Sequence, residues 1–210
     1  MTWAQKTLRE FQDALASSDP TPGGGSAAGV ALGQAAALAV MVSDLTLSKD
    51  SLQDGWTISE KVKLVAIPLL DEGLELATHD SDAFDAVVAS FRLPKATDDE
   101  KASRRDSIRS ATLGAAEVPF RTASKALDLL ELLPELAEKG NPNAASDVGV
   151  AGLLASAALK GGVFNVEINL ESLPESYGEE MRESLPNIVE KGRIYSRQCM
   201  DAVRLRLTDQ

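Results

Sequence analysis

Aromatic residues are scarce in this chain: Phe, Trp and Tyr make up 4% of 210 residues, although 44% are apolar. The core must therefore be built from Ala, Leu and Val, and because Ala and Leu are good helix formers the composition predicts an all-helical protein. The lone cysteine, Cys199, excludes an internal disulfide and points to a reducing, cytoplasmic setting. One histidine, His79, beside that one cysteine leaves too few soft ligands for a zinc site, and no metal is expected. Basic residues are also short: 21 Lys and Arg stand against 32 Asp and Glu, a net charge of −11. That balance provides no field for a nucleic acid partner, and acidity alone reads as solubility. Met1 to Glu10 carries charges and no apolar core, unlike a signal peptide. The apolar run from Ala27 to Val42 falls short of the ~20 residues of a membrane span and contains Gln34, so no membrane partner is expected.

What is present is helical pattern from end to end. The length fits one domain, and no linker long or polar enough to divide it occurs. Helices are predicted over about Trp3 to Ala16, Ser26 to Thr46, Ser59 to Ala77 with a bend at Pro68, and Asp80 to Phe91. Further helices are predicted from Thr97 toward Pro119, Phe120 to Lys139 before Gly140, Ser146 to Lys160, and Glu175 to Leu207 with Pro186 as a kink point. Thr97 and Glu100 form a capping box, which explains the acidic run Asp98-Asp99-Glu100 better than a metal does. Val163 to Leu170, β-branched and alternating, is the only strand-like patch and reads as an extended connector. The expected architecture is a single-domain multihelical bundle.

The richest stretch is Asp19 to Thr46, where Pro20, Pro22 and the glycines Gly23, Gly24 and Gly25 feed a long helix of small residues. The prolines require extended chain, Ser26 suits an N-cap, and the bare glycines leave the first backbone N–H groups open to an anion or a carbonyl. A Walker A loop is excluded because no lysine follows Gly25. The letters Gly23, Gly25 and Ala28 fit G-x-G-x-x-A, but that fingerprint needs a preceding strand, and Trp3, Leu8, Phe11 and Leu15 make a helical pattern. Gly25, Gly29, Gly33 and Ala37 also recur every fourth residue, a ridge that suits close helix packing, including packing across a dimer interface. Gly149, Gly152, Ala155 and Ser156 give a second helix of the same texture, and the two are expected to cross closely.

Four polar clusters stand out. Asp80 and Asp82 fit a helix N-terminus as caps. Arg92-Leu93-Pro94-Lys95 is a turn whose charges need mean no more than solvation. In Gly140-Asn141-Pro142-Asn143-Ala144-Ala145-Ser146-Asp147, Ser146 suits a cap, while Asp147 leads an apolar helix and is harder to dismiss. Asn165 and Asn169 share one face of the extended patch, so a ligand or another backbone should meet their amides.

These segments together, P-T-P-G-G-G-S-A-A, Asp80 to Phe84, L-P-K at 93–95, G-N-P-N-x-x-S-D at 140–147 and F-N-V-E-I-N-L at 164–170, resemble the cyclodeaminase/cyclohydrolase family. That family comprises the cyclodeaminase half of formiminotransferase-cyclodeaminase and the stand-alone methenyltetrahydrofolate cyclohydrolases. The resemblance spans nearly the whole chain and implies an all-helical, commonly dimeric protein acting on a folate one-carbon unit without a cofactor. Methenyl-folate is a cyclic amidinium cation, and its hydrolysis needs water at the central carbon. On that chemistry Asp80 and Asp147 are candidates to attract the cation and take the water's proton. Lys95 is a candidate to polarise the developing oxygen or protonate the departing nitrogen. Asn165 and Asn169 would hydrogen-bond the pterin edge, Asn141 and Pro22 are further substrate-binding candidates, and Gly23 to Ser26 would present N–H groups to a carbonyl or the glutamate tail, with Arg92 or Arg104 as its ionic partner. His79 lies outside the matched residues. Three functions remain: methenyltetrahydrofolate cyclohydrolase first, formiminotetrahydrofolate cyclodeaminase as its rival, and a non-catalytic folate-binding dimer.

Overall fold

Apolar faces without aromatic bulk pack as long rods at close range. Among residues 2–208, which the computed structural model describes, there are six α-helices and no strand. A 3-10 turn at Trp3–Gln5 precedes α1 (Leu8–Leu15) and α2 (Gly24–Leu47). Then follow α3 (Trp56–Phe91), α4 (Asp98–Lys139), α5 (Ala145–Glu171) and α6 (Glu179–Thr208), with 3-10 segments Asp50–Gly55 and Pro142–Ala144 leading into α3 and α5. α2 packs on α3 and α5, α4 packs on the same two, and α6 lies along α4 and α5. The core follows composition: Leu32, Val42, Val62, Leu76, Leu129, Leu133, Val148 and Val166 are buried among alanines such as Ala35, Ala39, Ala123 and Ala155. The predicted all-helical, single bundle is what the chain forms.

The predicted helix Trp3 to Ala16 is shorter, a 3-10 turn followed by α1 behind the N-cap Thr7, and α6 begins at Glu179 rather than Glu175, while three other predicted boundaries err toward longer helices. The break between Ala77 and Asp80 does not exist, and Pro68 lies inside the 36 residues of α3. The helices predicted to meet at Pro119 are one, α4, which also contains Pro134. A proline inside a helix costs about 3 kcal/mol, and the continuous buried face that α4 lays on its neighbours outweighs it. The supposed connector 163–170 is the last third of α5. Val163, Val166 and Leu170 are buried at helical spacing, so packing overrides the β-branched character of the segment.

Caps differ too. The box at Thr97 and Glu100 forms as predicted, with Thr97 Oγ1 accepting from the Glu100 amide at 3.2 Å. Ser26 is not an N-cap: the cap position is Gly23, and Ser26 lies in the first turn of α2. Ser146 likewise lies inside α5, whose cap position is Ala144.

The glycine ridge of α2 is consumed within the chain. A Cβ on Gly29 would stand 2.7 Å from the Ala77 amide nitrogen, and one on Gly73 2.7 Å from that of Gly33. α2 and α3 thus cross backbone against backbone. The second small-residue helix, α5, meets α2 where Gly161 faces Ala28, and spends Gly149 and Gly152 against Val203 and Cys199 of α6. By length and composition alone, Gly24–Leu47 and Pro142–Glu171 are apolar enough to cross a membrane. In this fold the two pack on each other, α2 also on α3 and α5 also on α4 and α6.

Candidate active site

The crossing of α2 and α3 at Gly29 and Gly73 sets the N-terminus of α2 beside the middle of α3, and the last third of α5 closes the gap. Between them lies a cavity of about 280 Å³. Gly23, Gly24, Gly25, Asp80, Asn165 and Asn169 line it together with Pro20, Thr21, Phe84, Val87, Ala115 and Ile168. A larger hollow between α5 and α6, of about 720 Å³, gathers none of the predicted site residues.

Asp80 stands 24 residues into a continuous helix, so it caps nothing on α3. It serves α2 instead. Gly23 has no side chain with which to cap that helix, and the Asp80 carboxylate arrives from α3 to accept from the Ser26 hydroxyl (2.9 Å) and from the Ser26 backbone amide. The anion predicted at the glycine turn is thus supplied by the chain itself. Only Gly25 is sterically required there, because a Cβ on it would collide with the Asp80 carboxylate, whereas one on Gly24 would meet nothing within 4 Å. Burial holds the Asp80 carboxyl above the ordinary range for aspartate, outweighing the opposite effect of the two Ser26 donors.

Asn165 and Asn169 do share a face, but as one turn of helix rather than as alternate residues of a strand. Asn165 Nδ2 donates to the Gly161 carbonyl at 2.8 Å, and Asn169 Nδ2 donates to the carbonyls of Asn165 (2.9 Å) and Ala115 (3.0 Å). The Ala115 carbonyl is available because Pro119, four residues on, has no N–H to bond it. Carbonyl partners fix each amide's orientation, so what the two residues offer the cavity is chiefly the side-chain oxygen, an acceptor. Asp80 is the one charged residue lining the cavity, and no cation lines it.

The other predicted site residues do not converge here. Asp147 lies in the first turn of α5, about 27 Å along the helix from Asn165. Asn141 is buried and structural: its amide donates to Thr46 Oγ1 (2.9 Å), its Nδ2 to the Leu45 carbonyl (3.3 Å), and its Oδ1 accepts from the Asn143 amide (3.1 Å). Lys95 is exposed in the turn after α3, which ends at Phe91, about 16 Å along the helix from Asp80. Pro22 is buried behind a cis Thr21–Pro22 bond and does not line the cavity, while Ser26 reaches it through Asp80. Arg104 is spent on the C-terminus of α3, donating to the Phe91 carbonyl (3.0 Å) and lying over the Phe91 ring. Neither it nor Arg92 lines the cavity. Sequence reasoning missed Ala115 and Phe84 as lining residues, and Pro119, whose position four after Ala115 was the available signal.

The geometry can be set beside known proteins. A sequence model described as formiminotransferase-cyclodeaminase matches residues 7–187. The chain belongs to this family. A methenyltetrahydrofolate cyclohydrolase of Methylorubrum extorquens is 34% identical over 208 residues, covering 96% of this chain and 98% of that one. The formimidoyltransferase-cyclodeaminase of Gallus gallus is 31% identical over 90% of this chain, which spans 35% of that longer protein. The crystal structure of a formiminotetrahydrofolate cyclodeaminase from Thermotoga maritima superposes with a TM-score of 0.79 at 29% identity, covering 98% of both chains. Family membership therefore accounts for the long-helix bundle as well as for the motifs along it.

Proposed function

We propose that the protein is a methenyltetrahydrofolate cyclohydrolase, opening 5,10-methenyltetrahydrofolate to 10-formyltetrahydrofolate. The observation that carries this reading is a cavity whose sole charged lining group is a desolvated carboxylate, faced by amide oxygens and free of cations. Such a lining suits a cationic amidinium and would repel an anion. In the reaction, water adds to the carbon between the two nitrogens and Asp80 takes its proton. The carbon–N5 bond then breaks, its electron pair goes to nitrogen, and nitrogen takes the proton back from Asp80. The hydroxyl proton leaves as the formyl C=O forms, so one proton is released per turnover. No cofactor is needed, because the amidinium carbon is already electrophilic. A carboxyl whose affinity for protons is raised by burial is the better base for that transfer.

Asn165 and Asn169 present acceptor oxygens to ring N–H groups. At about 280 Å³ the cavity lies near the small end of ligand pockets, ~300–1,000 Å³. It therefore takes the fused ring head, and the aminobenzoyl-glutamate tail runs outward past Phe84 and Ile168, both exposed at its lip. The match over 98% of the Methylorubrum extorquens cyclohydrolase's own length supports the cyclohydrolase reading. The likeness to the Thermotoga maritima cyclodeaminase favours the second reading, closure of formiminotetrahydrofolate with loss of ammonia. Purified protein should abolish the methenyl absorbance; ammonia release from the formimino compound, with no such loss, would reverse the order of the two readings.

We read the protein as a cytosolic homodimer. Val150, Leu153, Phe164 and Ile168 form an exposed apolar stripe along α5 that ends at the cavity. Light scattering on the purified chain checks the dimer.

A further inference from the structure

Half of the ten buried serine and threonine hydroxyls among the described residues bond to a carbonyl one turn back on their own helix. Ser43 donates to Ala39, Thr46 to Val42 and Thr122 to Val118. Ser26 and Ser81 bond to side chains of other elements. Both are buried, at 0% and 6% exposure. Instead of back-bonding they form a chain that crosses three elements. Trp3 Nε1 lies 2.9 Å from Ser81 Oγ, Ser81 Oγ lies 3.1 Å from Ser26 Oγ, and Ser26 Oγ lies 2.9 Å from Asp80 Oδ2.

The direction of this chain follows from its ends. An indole nitrogen can only donate, an ionised carboxylate can only accept, and each serine has a single proton to give. Trp3 therefore occupies an acceptor position of Ser81, the Ser81 proton goes to Ser26, and the Ser26 proton goes to Asp80. Turning the Ser26 proton toward Ser81 instead would take from the ionised carboxylate one of its two Ser26 donors, leaving only the backbone amide. Trp3 is itself held at two further points: its backbone amide donates to Thr78 Oγ1 at 3.0 Å, and its ring packs edge-on against Phe11.

We propose that Ser81, oriented by the Trp3 indole, is a positioning residue that commits the Ser26 hydroxyl to Asp80 and so holds that carboxylate in its reactive orientation. The proposal rests on the reading of Asp80 as the reacting carboxylate. Other charges do not supply this control. α2 has no titratable residue before Asp44, and neither His79 and Asp82 on α3 itself nor Lys6, Glu117, Lys160 and Glu167 on the neighbouring elements are among the causes of the Asp80 shift.

The test compares the full-length wild type with S81A, S81T, W3F and D80N, measuring kcat and KM against pH. Alongside, ¹³C NMR follows the titration of the Asp80 carboxyl without substrate. Removing the Ser81 hydroxyl frees Ser26 from its donor and weakens its hold on the ionised carboxylate. S81A should then lower kcat about tenfold, and move the acid limb of the kcat profile and the Asp80 titration upward by about half a unit to one unit. KM should stay within about twofold. S81T, which keeps the hydroxyl, should restore the limb. W3F should shift it in the same direction by less, and it decides the matter if S81A fails to fold. An unchanged acid limb and an unchanged Asp80 titration in the folded variants overturn the proposal, whatever their melting temperatures do. If D80N keeps wild-type turnover, the active-site reading falls instead, and the NMR titration alone judges the hydrogen-bond chain.

Discussion

At one end of α5, Asn165 and Asn169 border a cavity with Asp80 across it; at the other, about 27 Å away, Asn141 and Asp147 mark a corner between helices. Both ends carry asparagines beside a glycine-containing turn, and both looked chemical in sequence. They differ in what their polar groups are bonded to. At the corner, Asn141 spends its amide, its side-chain nitrogen and its side-chain oxygen on backbone and Thr46 of its own chain. Gly140 has no room for a side chain there, since a Cβ would lie 2.5 Å from the Leu136 carbonyl oxygen. At the cavity, the asparagine nitrogens are tied down but the oxygens are not consumed in the same way, and the carboxylate is kept desolvated. Polar residues that satisfy one another build a fold; polar residues held with capacity left over build a site.

The sharpest way to break this contrast is to remove each end's carboxylate. Asp80→Asn should cost about 10²–10⁴ in kcat, the usual range for a general base, with the fold intact by circular dichroism. Asp147→Asn should stay within about threefold, its charge being worth only a helix-terminus interaction of ~0.3–1 kcal/mol. Equal losses at both positions would mean that the corner also belongs to the reacting site.

The next largest effect separates neighbours within the glycine turn. Gly25→Ala puts a methyl group where the Asp80 carboxylate lies and should lower kcat about a hundredfold, since misplacing a reacting group by an ångström costs on that order. Gly24→Ala meets no atom within 4 Å and should leave kcat within a fewfold. Steady-state kinetics on the pair tests whether the turn serves backbone freedom or the approach of α3.

A smaller effect is expected at Pro119. Pro119→Ala returns an N–H that competes for the Ala115 carbonyl and loosens Asn169. KM should rise about three- to tenfold while thermal stability increases, because a proline inside a helix is removed. A rise in stability with no change in KM would sever α4 from the site.

Much of this was legible beforehand, for reasons that can be named. Alanine and leucine without aromatics fix an all-helical bundle, and the capping box at Thr97 fixes where α4 begins. The glycine turn, Asp80, Asn165 and Asn169, singled out in the sequence, line one cavity. Helix ends were misjudged where a local signal competed with burial: the acidic cluster at Asp80 read as a helix start, Pro119 read as a break, and Val163 to Leu170 read as extended. Ser26 and Asp80 exchanged roles for the same kind of reason. A cap sought in neighbouring sequence is supplied here from another helix, 54 residues away. Such a partner leaves no local pattern to read.

The smallest predicted effect concerns stability, and its sign sets Asp80 apart from the groups at the corner. Its folded-state affinity for protons is raised by burial, so the native state favours the neutral carboxyl. The stability this group contributes is complete below its unfolded value, near 3.8, and is lost as pH rises through the higher folded value. At pH 7 ionised Asp80 is therefore a cost to the fold. Asp80→Asn keeps an oxygen that can accept from Ser26 and removes the charge, so it should melt higher than wild type at pH 7, by about 2–4 °C for each kcal/mol relieved in a chain of this size. That difference should shrink as pH falls and close where Asp80 is protonated in both the folded and unfolded states. Thermal melts across pH 3–8 measure it. A variant that loses turnover yet gains stability is what a carboxylate kept for chemistry predicts, whereas one that loses both would make Asp80 chiefly the cap of α2.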